Sequence, residues 1–234
     1  MADIAHVIEG FVHADEYSHK AGFDGIELHA ANGYILSQFL WRTANKRTDK
    51  YGLQNIESRL RLISEIAHAI KSRVPSDFLV AAKLNNVELQ DGGALDDFGF
   101  DFVELSGGTY ENLGYEYKKE STRRRAGYFL EWAETITKSL GKDNKLRTYI
   151  VGGLKSVGAM VKALDVVAGI SLGRPATVEP HLAIDVIEGR VQGALKAVEA
   201  VESDQGMTLV VAPAQISQIS RNIEPLDASD VSVM

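Results

Sequence analysis

Three clusters of residues in this chain have types and spacings that could do chemistry. The first is His29-Ala30-Ala31-Asn32-Gly33-Tyr34. It offers two hydrogen-bond donors, His29 and Asn32, followed by a phenol, Tyr34. Donors converging on one oxygen would stabilise an enolate-like charge, and a nearby phenol could deliver a proton. On spacing alone, a buried His-Asn pair supporting a turn, with Tyr34 in the core, is the competing reading. The second cluster is Lys83-Leu84-Asn85, where Lys83 ends an otherwise apolar run of Val80, Ala81 and Ala82. Burying an ammonium there is expensive without an anionic or electron-rich partner. The third is a pair of glycine-rich segments, Gly152-Gly153 and Gly173-Arg174. Glycine lets backbone amides approach an anion closely, and Arg174 adds a forked donor. The same glycines would also serve ordinary turns.

The elements that must carry these clusters alternate short apolar runs with longer amphipathic ones, as parallel β/α units do. Helical spacing covers 5–21, closed by Gly22, and a strand candidate follows at 25–29. A helix is expected at 58–72, ended by Pro75, and strands at 78–84, 101–105, 148–151 and 166–171. Further helices are expected at 128–140 and 156–164, and a helical pattern broken by Gly189 and Gly193 at 180–201. Residues 203–234 read as a mostly irregular tail with a short helix near 213–219. All three clusters then lie at C-terminal strand ends, where parallel β/α folds place their chemistry. The segment between Leu84 and Asp101 is rich in Asn, Asp and Gly and can hold hardly more than a turn or two of helix.

Composition narrows the function classes. The chain has 234 residues, 45% apolar and 24% charged, with a formal charge of −7. That size suits one domain with a full core. The acidic balance argues against a nucleic-acid partner, because phosphate backbones need a concentrated cationic face. The one basic run, Arg123 to Arg125 with Lys118 and Lys119, is offset by Glu116 and Glu120 and reads as a solvated face. With no cysteine in the sequence, disulfides and thiolate chemistry are excluded. No stretch approaches the length of a membrane span, and residues 1–10 do not read as a secretory signal. A cytoplasmic protein with no membrane partner is expected.

The run Ala21 to Tyr34, with Gln38-Phe39-Leu40, Asn45 to Asp49 and Tyr51-Gly52, resembles the signature of the old yellow enzyme family of NADH:flavin oxidoreductases. The likeness continues through Glu57-Ser58-Arg59, Glu104 to Tyr110, Gly152-Gly153 and Leu172 to Pro175, with Lys83 as in the fungal branch. Leu53 and Ser58 depart from the usual glycine and asparagine. The resemblance implies a partial (β/α)₈ TIM barrel over residues 1–202, lacking about its first three strands, with a shortened crossover after Lys83. It implies FMN as cofactor and NADH or NADPH as hydride donor. The implied substrate is a small enone or enal, in a fungal secondary-metabolite setting. By the same comparison, His29 and Asn32 bind the substrate carbonyl and Tyr34 is the catalytic proton donor. Lys83 touches the flavin ring, and Gly152, Gly153, Gly173 and Arg174 bind its phosphate. Arg47, Asp49, Glu57 and Arg59 read as scaffold. The missing strands leave two alternatives to a reductase: a non-catalytic remnant or interaction module, and a flavin-assisted isomerase or epimerase. They also suggest a homo-oligomer or a complementing chain as partner.

Overall fold

A computed structural model describes residues 2–85, 98–107, 119–140, 146–199, 201 and 205–230, with the side chains of 2, 119–129 and 205 outside the described set. Five strands form one parallel sheet: β1 (Gly25–Ala30), β2 (Leu79–Asn85), β3 (Phe102–Ser106), β4 (Arg147–Val151) and β5 (Gly169–Ser171), paired in sequence order. The helices are α1 (Ala2–Lys20), α2 (Ile35–Leu40), α3 (Ile56–Lys71), α4 (Lys119–Leu140), α5 (Val157–Ala163), α6 (Arg174–Val178), α7 (Leu182–Ile187) and α8 (Gln205–Ser220).

Side chains alternate between the two faces of a strand. Leu28, Ala30, Val80, Ala82, Leu84, Val103, Leu105 and Ile150 are buried on one face. They pack with Val12 of α1, Ile63, Ile66 and Ile70 of α3, Ile136 of α4 and Met160 of α5 in a single core. Helix α3 forms because apolar residues recur three and four apart, and Asn55 caps it by accepting from the Ser58 N–H at 2.7 Å. The strand order and the helices on one face distinguish a segment of a (β/α)₈ barrel from a doubly wound sheet, whose helices cover both faces. Strands β1 and β5 are the edges of this sheet among the described residues.

The five expected strands are all present, the last shortened to Gly169–Ser171. The helical pattern at 180–201 is not one helix. Helix α7 stops at Ile187, and Gly189 turns the chain at φ 72°. Beyond it, residues 192–195 form a strap across the start of α5: the Val157 N–H donates to Gln192 O at 3.0 Å and the Ala194 N–H to Lys155 O at 2.8 Å. Where a mostly irregular tail was expected, α8 runs for 16 residues. Its Leu209, Val210 and Ile216 face solvent while Val211 and Gln215, four apart, are buried, so most of its apolar residues lie off its packed side. The crossover expected to be nearly helix-free falls largely at 86–97, outside the described residues, as do Lys118 and the side chains of Arg123 to Arg125.

Candidate active site

Strand register builds the site on the face that the helices leave open. His29 of β1 pairs with Lys83 of β2, Lys83 with Glu104 of β3, Glu104 with Tyr149 of β4, and Tyr149 with Gly169 of β5. These side chains form one row across the sheet, one pleat step from the buried apolar set. The row is close-packed at its far end. A Cβ on Gly169 would lie 2.3 Å from the Tyr149 ring, which also leans on Phe102 with ring centroids 5.1 Å apart. Only glycine fits beneath that tyrosine.

Lys83 and Glu104 form an ion pair, with side chains 22% and 12% exposed. Glu104 is therefore the anionic partner that the burial of Lys83 demands. On β1, Glu27 stands one step below His29. Glu27 is raised to about 7, first by loss of water and then by the Glu104 carboxylate, against the opposing pull of Lys83. The residue is exposed by area, at the edge strand of the described sheet. His29 is shifted the other way. Desolvation and then the Lys83 ammonium lower its pKa, with Glu104 partly offsetting them. A neutral imidazole is the result at pH 7.

Beyond β1 the chain turns sharply at Asn32, whose φ of 59° is left-handed. Asparagine is among the few non-glycine residues that adopt this region readily. The turn brings the Tyr34 ring to 4.9 Å from His29, centroid to centroid, with Tyr34 half exposed at the rim. The Ser37 hydroxyl donates to Tyr34 O at 2.8 Å, and the Gln38 amide to Gly33 O at 2.9 Å, locking the turn to α2. His29 and Tyr34 are thus neighbours on the open rim rather than a buried pair.

The loop that follows is held by buried polar groups. The Asn45 amide, 5% exposed, donates to both Phe39 O and Tyr51 O at 2.8 Å. The Arg59 guanidinium is buried and donates to Leu40 O at 2.9 Å, while the Tyr51 hydroxyl donates to Glu65 at 2.7 Å. Arg47 and Asp49 pair within the loop. Asn55, not Glu57, caps α3. The scaffold reading of Arg47, Asp49 and Arg59 fits these contacts, and Glu57 is an exposed acid in the first helical turn.

The glycine pairs follow adjacent strands on the same rim. Gly152 and Gly153 take φ of 121° and 72°, which side chains rarely adopt. Open space surrounds them and Gly173, with no atom within 4 Å of a built Cβ. Such a gap beside exposed backbone is what an anion needs. Arg174 begins α6, which α8 buttresses: Thr177 lies 2.8 Å from Gln215 Oε1, and the Gln215 amide donates to Leu226 O at 2.7 Å. Beside Arg174 stands a cation that sequence reading missed. Lys155 is lowered to about 8, by burial first and then by Arg174 and Lys196. The 192–195 strap brings this cluster together, so no local sequence signal announces it. Among the described residues no group of three acids or histidines could hold a metal ion. No described helix is long and apolar enough to cross a membrane.

The family model for NADH:flavin oxidoreductases / NADH oxidases matches residues 1–193. The chain belongs to that family. The NADH-dependent flavin oxidoreductase nadA of Aspergillus parasiticus is 41% identical, over 97% of this chain and 53% of its own length. A second fungal relative, the NADH-dependent flavin oxidoreductase iccE of Talaromyces variabilis, is 34% identical over 79% of this chain and 48% of its own length. The chain therefore spans about half the length of these two relatives. Two solved structures share the fold. Histamine dehydrogenase from Rhizobium aligns at TM-score 0.61 and 26% identity over 81% of this chain and 28% of its own. Morphinone reductase aligns at TM-score 0.62 and 22% identity over 84% and 52%. Membership brings FMN and NADH as the family's cofactors, and the open gap at Gly152, Gly153 and Gly173 beside Arg174 fits the phosphate of such a flavin.

Proposed function

We propose that this chain supplies the substrate-side wall and phosphate end of an FMN-dependent ene-reductase that uses NADH or NADPH to saturate an enone or enal. The observation that carries it is the row of His29, Lys83 and Glu104 on one rim, with the Tyr34 ring tilted against His29. Residues 1–202 form the barrel part of this assignment.

The chemistry that bound FMN would supply is hydride transfer from the nicotinamide toward the substrate β-carbon. The chain's own residues do the rest. His29 is held neutral, so its ring N–H and the Asn32 amide can donate to the substrate carbonyl oxygen and share the charge that builds there. Tyr34 can deliver its phenolic proton to the α-carbon, completing addition across the double bond. Its position at the rim leaves the phenol open to reprotonation from water. Lys83 would sit against the electron-rich edge of the flavin ring, and Gly152, Gly153, Gly173 and Arg174 would hold the phosphate. The remaining ring contacts would come from further barrel strands, in the same polypeptide or in a complementing chain. The proposed setting is a specialised enone of secondary metabolism handled in the cytoplasm, in line with the fungal sources of two similar proteins.

The test is direct. The purified chain mixed with FMN should oxidise NADH when cyclohexenone is added and form cyclohexanone. A preparation that with excess FMN and both nicotinamides gives no product and also binds no flavin contradicts the reading. A second reading has its own support: the open face and the edges of β1 and β5 suit an interaction module. That reading falls if Tyr34→Phe alters turnover. An isomerase using the same carbonyl donors would turn over without any nicotinamide.

A further inference from the structure

We infer that Glu104 is the positioning residue that aims Lys83 at the flavin, an assignment that rests on the flavin reading above. Lysine carries its charge on a flexible four-carbon stem and holds no fixed direction by itself. Here β3 places Glu104 in register beside Lys83, and the two side chains are in contact. The carboxylate is confined on its other side. Tyr149 follows it in the row, wedged between Phe102 and the bare backbone of Gly169, so a bulky ring closes the space toward β5. Glu104 therefore faces the ammonium and tethers it at the height of His29, the level of the substrate donors.

Two carboxylates compete for this one ammonium. Glu27 lies in the next row down, paired with Ala81 in register. Glu104 holds the contact, and its charge helps keep the proton on Glu27 near neutrality. The contact at the centre of the cluster is thus the single Lys83–Glu104 ion pair. An electron-rich ring edge then meets an ammonium that is already oriented, so less ordering remains to be done on binding.

The test uses the full chain with Glu104→Ala and Glu104→Gln, and two readouts. The first is acetylation of Lys83 by a water-soluble acylating reagent, followed by peptide mass spectrometry with exposed Lys162 as internal reference. Glu104→Ala should raise Lys83 labelling relative to Lys162 by about tenfold, about 1.4 kcal/mol of lost pairing. The second is FMN affinity from fluorescence quenching, which should weaken about tenfold in Glu104→Ala. Glu104→Gln keeps an acceptor for the ammonium and should recover most of that affinity. Unchanged Lys83 labelling in Glu104→Ala overturns the tether. Unchanged FMN affinity with increased labelling overturns the aiming role while leaving the ion pair. Wild-type chain that does not quench FMN removes the flavin reading itself, and the role of Glu104 toward a ring with it; labelling still reports the pair separately.

Discussion

The two faces of the same five strands differ in nearly everything. On the helix-covered face, Leu28, Val80, Ala82, Leu84, Val103 and Ile150 are buried and interchangeable in kind. On the open face, one pleat step away, Glu27, His29, Lys83, Glu104 and Tyr149 differ from one another, and each has a specific neighbour. A parallel sheet normally hides both faces. Here one face stabilises the fold by area, and the other spends part of that stability on a row of charges held in register. Parity along the strand thus separates most of the apolar packing from the charged row, with Ala81, Asn85 and Ser106 buried on the row's own side.

The sharpest way to break this division is to change one residue on the open face. Tyr34→Phe should cut enone turnover by about 10²- to 10⁴-fold, the usual worth of a positioned proton donor. Reduction of bound FMN by NADH should stay unchanged, because the role proposed for the phenol is on the substrate carbon alone. Equal losses in both half-reactions would place Tyr34 in the scaffold instead. On the other face, Ile66→Ala removes a fully buried side chain from α3 and should cost about 2–5 kcal/mol in urea unfolding. A cost below about 1 kcal/mol would mean that the helix layer is not the core.

A smaller effect tests a flaw within the covered side. Asp15 of α1 is 2% exposed, neither carboxylate oxygen has a hydrogen-bond partner, and burial raises its pKa from 3.8 to about 6. A carboxyl whose folded pKa is raised favours the fold most fully below its unfolded value, and that contribution is lost as pH rises through about 6. Asp15→Ala should therefore raise stability at pH 7.5 by about 1–3 kcal/mol, with a markedly smaller gain at pH 4. A gain independent of pH would assign the effect to helix propensity. At the far end of the open row, Gly169→Ala should push the Tyr149 ring aside and cost about 1–3 kcal/mol by thermal unfolding. Tyr149→Ala in the same background should recover part of that loss.

Much of this was legible in the sequence, for reasons that are themselves physical. The five strands announce themselves through β-branched and small apolar runs between glycine or proline stops, and α3 through its apolar spacing. The signature around His29, Asn32 and Tyr34 identified the family, and the turn at Asn32 explains why those residues converge. What stayed hidden depends on distance in sequence. The Lys83–Glu104 pair needs the β2–β3 register, which no local pattern encodes. Lys155, Arg174 and Lys196 meet only because the 192–195 strap folds back over α5. There Gly193 is required, since a Cβ would lie 2.6 Å from Lys155 O. Helix α8 was legible only as a short helix near 213–219, because most of its apolar residues face outward and Gln215 shares its buried side with Val211. Short α2 and α6, of six and five residues, carry no side-chain cap to mark them.

If the open row and the glycine rim together form the proposed flavin site, FMN titration will show it. Flavin fluorescence should quench saturably on adding the wild-type chain, and Lys83→Ala and Arg174→Ala should each weaken binding by about tenfold or more, one from the ring end and one from the phosphate end. Absence of saturable quenching, or affinity unchanged in both variants, would contradict the account.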